Sequence, residues 1–383
     1  MEKFSTWRDA GTGIQPFLNP VPPLETAPFY VKLYRPLGII IGILRGVLLV
    51  IPLALYGLAQ LLSVILVLPP LRRLIPGLLV SISTRLALGL LGLWWISVET
   101  VTRKRSRSAP EVWDPVAGDI IISNWASWIE LLWLAFRWNP MFILPVAQLP
   151  SITEGRTSSS NTTLGRRTGT GSAAIATPAA TSANRSRVPI LGWQRRSLLQ
   201  MIAHTGQAVL TPEAAQNYGK IMSLEEIRSM TGRPLVIFPE CTTSNGRAFL
   251  KFADVFNDVS IPVKGYSVFV MAVRYDPPTM TSPSLTHSVP TDLPFLPNPL
   301  SHVFQLLSSP TLARSLTIRL LAPSDSPSSA SFMASEYYTP GSKDQLGEAI
   351  SKLMEFLGKF KRTSVLGWED KASFLTFYRS KTA

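Results

Sequence analysis

The chain has 383 residues, 46% of them apolar and 16% charged, with a mean hydropathy of +0.21. That composition excludes a disordered chain and departs from an average soluble domain, in which roughly a quarter of residues are charged. A single cysteine, Cys241, excludes a disulfide framework and a zinc–cysteine cluster, and three separated histidines (His204, His287, His302) form no metal-ligand pattern.

The net charge of +13 is unevenly placed. Residues 26–110 carry ten Lys/Arg against one acid, Glu99, and residues 151–187 carry five Arg against one acid, Glu154. These segments hold the whole excess, so the rest of the chain is electrically neutral. A nucleic-acid binder carries its basic surface on the folded domain, so no nucleic acid is expected as a partner. Basic residues flanking an apolar stretch suit an anionic membrane surface.

The first residues, rich in Pro and Gly up to Pro28, read as an N-terminal extension (1–35) without the pattern of a secretory signal. Gly46–Leu68 is 23 residues without a charge, about 34 Å as a helix and enough to cross a hydrocarbon core of ~30 Å. A second apolar run extends from Leu74 to Val98 and contains Arg85. The two runs predict a membrane-associated helical hairpin over 36–98, with a kink at Pro52 and Arg72 and Arg73 in its turn; the plainer alternative is a pair of buried core helices. The hairpin either spans the bilayer or dips into one leaflet, and the sequence does not separate these. Arg103, Lys104, Arg105 and Arg107 follow it, which places the next domain on the cytosolic side.

From Pro110 short apolar runs alternate with helical stretches. Strands are predicted at Asp119–Ser123, Met141–Val146, Pro234–Pro239 and Val268–Arg274, and a helix at Ser127–Arg137. The pattern gives an α/β domain over 99–383, a mixed sheet flanked by helices, and ligands in such sheets sit beyond the carboxyl ends of the strands. Of the 37 residues in 151–187, 25 are Ser, Thr, Gly or Ala, which reads as a disordered insertion. Its Asn161-Thr162-Thr163 and Asn184-Arg185-Ser186 match glycosylation sequons, chance matches on a cytosolic face. Ser342–Lys361 has helical periodicity, with Leu346, Ile350, Leu353, Met354 and Leu357 on one face for the core or a membrane.

Two polar loops follow predicted strands. In Ile237–Arg247 (IFPECTTSNGR) a carboxylate and five small residues form a loop whose amides and hydroxyls suit phosphate or glycerol oxygens; alternatively it is a strand-to-loop turn with a capping glutamate. In Ile121–Leu131 (IISNWASWIEL) a Ser-Asn pair is followed a helical turn or so later by a carboxylate, Glu130, which can share a helix face with it; alternatively Ser123 or Asn124 is an ordinary N-cap.

Together the two segments resemble the PlsC-type glycerophospholipid acyltransferases, which carry an Asn-His-x4-Asp box and a Phe-Pro-Glu-Gly-Thr box. Here the first is Asn124-Trp125-Ala126-Ser127-Trp128-Ile129-Glu130 and the second Phe238-Pro239-Glu240-Cys241-Thr242. Thr243-Ser244-Asn245-Gly246-Arg247 is similar to the lysophospholipid acyltransferase subgroup, and Val188–Trp193 and Thr205–Leu210 to the family's middle block. Met1–Phe17 is similar to a fungal branch of lysophosphatidic acid acyltransferases of the endoplasmic reticulum and lipid droplets. The resemblance implies the PlsC-type fold, acyl-CoA as co-substrate with no cofactor or metal, a lysophospholipid acceptor, membrane lipids as surroundings, and Pro239–Gly246 as the acceptor-binding loop.

In the family a histidine takes the proton of the glycerol hydroxyl as it attacks the thioester. Trp125 stands at that position, and an indole nitrogen cannot accept a proton. Glu130 replaces the aspartate, Cys241 the glycine of the second box, and Thr211 the arginine that ends the middle block. Three substitutes for the base follow: Glu130 with its pKa raised by surrounding tryptophans, His204, or Cys241 as an acylated nucleophile. The reading is an acyltransferase, with a catalytically silent lipid-binding or scaffolding protein as alternative. It requires the turns centred on Asn124 and Cys241 to meet beside an apolar tunnel.

Overall fold

The structure is a computed structural model that describes residues 4–23, 29–103, 111–148, 188–257, 259–291, 296–333, 336–337 and 343–382. The insertion at 151–187 with its two sequons, and Lys104, Arg105 and Arg107, lie outside the described residues.

Three helices come first: α1 (Phe29–Leu48), α2 (Val50–Ile65) and α3 (Pro69–Leu90). The break at Leu49 has a local cause. Pro52 lacks the N–H that would bond the Leu48 carbonyl, and its ring crowds that group. The stretches Pro36–Ile65 and Pro70–Leu90 are long and apolar enough to cross a membrane by length and composition. Their outer faces are bare: Ile40, Val47, Val50 and Val64 are 60–79% exposed. Their inner faces pack along the α/β domain. Ser83 Oγ ties α3 to the Pro52 carbonyl at 2.6 Å, and Ser81 Oγ donates to the Phe136 carbonyl at 2.7 Å. The hairpin therefore lies along the domain.

The expected second run is shorter than its apolar sequence. α3 stops at Leu90, Gly92 follows at φ 84°, and Arg85 folds over the helix end to bond the Leu93 and Trp94 carbonyls. Beyond the exposed Trp94 and Trp95 the chain enters β1 (Ser97–Val101), so the sheet begins within the run read as hairpin. Apolar content misled here, because an edge strand and a helix end share it.

β2 (Ile120–Ser123), α4 (Ile129–Trp138), β3 (Met141–Ala147), β4 (Ile190–Arg196), α5 (Leu198–His204), α6 (Pro212–Gln216), α7 (Leu224–Met230), β5 (Leu235–Ile237), β6 (Ala248–Lys251), β7 (Val268–Tyr275), α8 (Leu300–Leu307), β8 (Leu316–Leu321), α9 (Gln345–Gly358), β9 (Lys361–Gly367) and α10 (Trp368–Thr382) complete the chain. Seven strands form one mixed sheet in the order β1-β8-β7-β2-β5-β3-β4, and β6 and β9 form a small second sheet. β7, β2, β5 and β3 run parallel, so their carboxyl ends share one edge.

Alternation along the strands divides the core. Ile121, Val236 and Met271 face the hairpin and α4, while Ile120, Ile122 and Ile237 face α9. The stripe Leu346, Ile350, Leu353, Met354 and Leu357 is fully buried in that second layer, which settles it as core. The N-terminal segment is not a detached extension. Phe4, Trp7 and Phe17 pack on Phe374 of α10, and Asp9 accepts from the backbone N–H and hydroxyl of Ser364 at 2.8 Å.

α1 rests on α8 at Gly42, where an added Cβ would lie 2.8 Å from Ser308 Cβ, whereas at Gly46 it would meet open space. Gly42→Ala is therefore expected to destabilise the fold by about 1–3 kcal/mol through overpacking, and Gly46→Ala to stabilise it by up to ~1 kcal/mol through helix propensity. Thermal unfolding in a neutral detergent measures both.

Candidate functional site

The two loops beyond β2 and β5 meet. Trp125 N–H donates to Glu240 Oε1 at 3.2 Å, and Ser244 N–H donates to the Trp125 carbonyl at 2.9 Å. Asn124 does not point at a ligand. Its side chain bonds Val273 on both sides, Nδ2 to the carbonyl at 3.0 Å and Oδ1 from the N–H at 2.7 Å, and so extends the β2–β7 pairing past the end of β2.

Glu130, in the first turn of α4, reaches back over the turn. Its Oε1 accepts from Ala126 N–H at 2.6 Å and Ser127 N–H at 2.7 Å, and its Oε2 accepts from the Tyr275 hydroxyl. Three consecutive backbone donors, from Trp125 to Ser127, are thus held by two carboxylates. Leu250 N–H bonds Glu240 Oε2 at 3.0 Å. Both carboxylates are 0% exposed. Burial pushes Glu130 up to about 7, opposed by the Tyr275 and backbone hydrogen bonds. Burial pushes Glu240 up to about 8, opposed by bonds from Leu250, Trp125 and Ser244 and aided by the charge of Glu130. The raised value expected for Glu130 is present, with burial as its main cause.

The Trp125 ring fills the position between the boxes. It stacks on Phe238 at 5.0 Å, and its Nε1 donates to the Ser127 carbonyl at 3.1 Å. On its other side lies His204, ring centroids 6.4 Å apart. His204 keeps some surface, but its Nε2 is buried without a partner. Burial and the nearby Arg196 charge push it down to about 4, opposed by a backbone hydrogen bond with Ala208, so the imidazole is neutral at physiological pH. His287 and His302, far apart in sequence, stack at 4.8 Å. His302 Nδ1 accepts from Trp128 Nε1 at 2.9 Å, and His287 Nε2 contacts Asn298 Oδ1 at 2.8 Å, so both act as structural links. Among the described residues no group of three His, Cys, Asp or Glu side chains could hold a metal.

Cys241 takes φ 56°, the left-handed conformation that glycine adopts without cost, so the tight turn is made despite the side chain. The thiol is buried, and desolvation raises its pKa well above the ordinary value. That removes the thiolate a nucleophile needs and counts against Cys241 as an acylated intermediate. Thr211 caps α6, accepting from Ala214 N–H at 3.3 Å.

Much of the loop after Cys241 is engaged in internal contacts, although Thr243 Oγ1 is buried without a partner. Thr242 Oγ1 donates to the Gln207 carbonyl at 2.8 Å, and Gly246 turns the chain at φ 69°. Asn245 is held by the N-terminal segment: its N–H bonds the Pro16 carbonyl at 2.7 Å and its Nδ2 the Gln15 carbonyl at 2.8 Å. Ser288 bonds Asn19 and Phe17. Beneath the loop the fully buried Lys371 donates to the Thr243 carbonyl at 3.1 Å and to the Ser288 carbonyl, and desolvation pushes it down to about 7. Pro239 accepts from Ala253 N–H at 3.0 Å. Tyr275, Lys371 and the strap of residues 15–19 were not singled out by the sequence, since only the fold brings them to the loops; the one available signal was the predicted strand ending at Arg274, just before Tyr275.

An apolar cavity of about 140 Å³ lies between the hairpin and α4, α5 and α8 and reaches Trp128, but Trp125, Glu130 and Glu240 do not line it. No protein-family model matches the chain, and neither a curated protein nor a solved structure matches it significantly.

A buried carboxyl with a raised pKa holds a proton that the unfolded chain has released, so its contribution to stability falls as pH rises from about 4.5 through about 8. Glu240→Gln removes that titration. The variant is expected to gain on the parent between pH 5 and pH 9 by about 1.4 kcal/mol per unit of pKa shift, read as the difference in urea unfolding free energy at the two pH values.

Proposed function

We propose that this chain is a membrane-associated acyltransferase of PlsC type that moves a fatty acyl group from acyl-CoA to a lysophospholipid, with lysophosphatidic acid as the favoured acceptor. The observation that carries the reading is the meeting of both motif segments at the carboxyl ends of β2 and β5, with Glu130 and Glu240 on one turn. Two carboxylates with pKa near neutrality are poised to exchange protons at physiological pH.

In this reading Glu130 takes the proton of the acceptor hydroxyl as its oxygen attacks the thioester carbonyl. The intermediate then collapses, the carbon–sulfur bond breaks, and the departing thiolate recovers the proton. Tyr275, donating to Glu130, holds the carboxylate in place. Substrate reaches the turn when the 15–19 strap or the Trp125 ring moves aside. The bare outer faces of α1–α3, Trp94 and Trp95 at 62% and 85% exposure, and the hairpin's lengthwise packing support insertion along one leaflet; the resemblance of Met1–Phe17 suggests the endoplasmic reticulum or a lipid droplet as the membrane, and the basic cluster after the hairpin suggests the cytosolic side for the α/β domain.

A second reading, a silent lipid-binding protein on the same fold, is favoured by Trp125 in the base position and by the sealing of both carboxylates. Acyl transfer by microsomes carrying the full chain separates the two. Turnover that Glu130→Gln lowers by roughly 100-fold or more, with folding intact, supports the enzyme and its base. Loss in His204→Ala but not in Glu130→Gln moves the base to the imidazole. Lysolipid binding without turnover for any acceptor establishes the silent reading.

A further inference from the structure

At the end of the sheet opposite the two carboxylates lies a cavity of about 680 Å³. It sits at the amino ends of β3 and β5, and the turn between α2 and α3 forms one wall. Arg72, Arg73, Arg195, Arg196 and Arg233 line it, and no described carboxylate does. The sequence shows these arginines as two separate pairs and a lone Arg233; the fold collects them.

Their hydrogen-bonding groups are incompletely used. Arg196 is 6% exposed and lies over the Tyr218 ring at 3.9 Å. One of its terminal nitrogens bonds Gln194 Oε1 at 2.8 Å, and its Nε is buried without a partner. Thr231 Oγ1, also in the lining, is likewise buried and unpartnered. Arg233 bonds Asn139 Oδ1 at 3.3 Å, and Arg72 Nε bonds the Ser63 carbonyl at 2.6 Å. Arg73 comes in over Gly232, where an added Cβ would lie 2.9 Å from the guanidinium. Five like charges around one space repel one another, and planar guanidinium forks match an anion with several oxygens. Buried donors without partners are rare in native proteins and call for a ligand or water.

We propose that this cavity binds a phosphoryl group. The site is separate from Glu130 and Glu240 and does not depend on the acyl-transfer reading. Two sources present that chemistry, the headgroup of an anionic phospholipid and a soluble phosphate compound. The rim favours the headgroup: Val67 is 89% exposed in the lining, and Leu68 and Leu74 beside it are each 60% exposed.

The test is calorimetric titration of the full chain in a neutral detergent with dioctanoyl phosphatidic acid, inorganic pyrophosphate and dioctanoyl glycerol. The variant is Arg73→Gln/Arg195→Gln, both positions exposed, with unliganded thermal unfolding as the check on folding. Binding of a phosphate probe that weakens about tenfold or more in the variant, and weakens with salt, supports the site. Binding by phosphatidic acid alone assigns it to a headgroup; equal binding by pyrophosphate assigns it to free phosphate. A folded variant that binds both phosphate probes as the parent does, no binding of either, or equally tight binding of the uncharged glyceride overturns the proposal. Arg196→Gln, which removes the buried unpartnered Nε, gives the second reading: unchanged affinity in both variants rejects the site even where one variant folds poorly.

Discussion

Two carboxylates sealed from water hold one turn, and the arrangement beyond the sheet depends on them. The N–H groups of Trp125, Ala126 and Ser127 all point into the interior, where an unpaired amide would cost about as much as a lost hydrogen bond. Glu240 takes the first and Glu130 the other two. Glu240 also fixes Leu250 within β6 of the small sheet, and Glu130 is tied to the end of β7 through Tyr275. Three parallel strands, the start of α4 and the second sheet are joined at one place. Burial disfavours the charged form of both groups, so the joint is made at the expense of two ordinary ionisations.

The same arrangement bears on function in two ways. Carboxylates with pKa near neutrality suit proton transfer, and neighbouring Trp125 and His204 offer one ring that cannot accept a proton and one that can. The loop after β5 is in turn held by the chain's own N-terminus, through bonds from Asn245 to Gln15 and Pro16, with Phe17 buried against Lys371 and Phe374.

Much of the sheet was legible in sequence because a strand buried on both faces is a short unbroken apolar run, as in DIIIS, PLVIFP and VFVMAVR. The stripe on α9 was legible because helical period leaves one face apolar. β1 was not, since its residues continue an apolar run that begins in a helix, and only the pairing with β8 distinguishes them. Of the site, the two carboxylates and the turn at Cys241 could be read from local pattern. Tyr275, Lys371 and the strap could not, because their roles come from contacts between residues more than a hundred positions apart. In the polar loop, Thr242 and Asn245 hold the loop itself, a use of small polar residues that local sequence does not distinguish from ligand donors.

Infrared difference spectroscopy of the full chain across pH reads directly whether Glu130 and Glu240 are sealed around one turn and protonate near neutrality. Carbonyl bands of two protonated carboxylic acids are expected at pH 5, titrating with apparent values of about 7 and about 8, one band vanishing in Glu130→Gln and the other in Glu240→Gln. Two carboxylates already ionised at pH 5, in the range of exposed acids, would contradict that expectation.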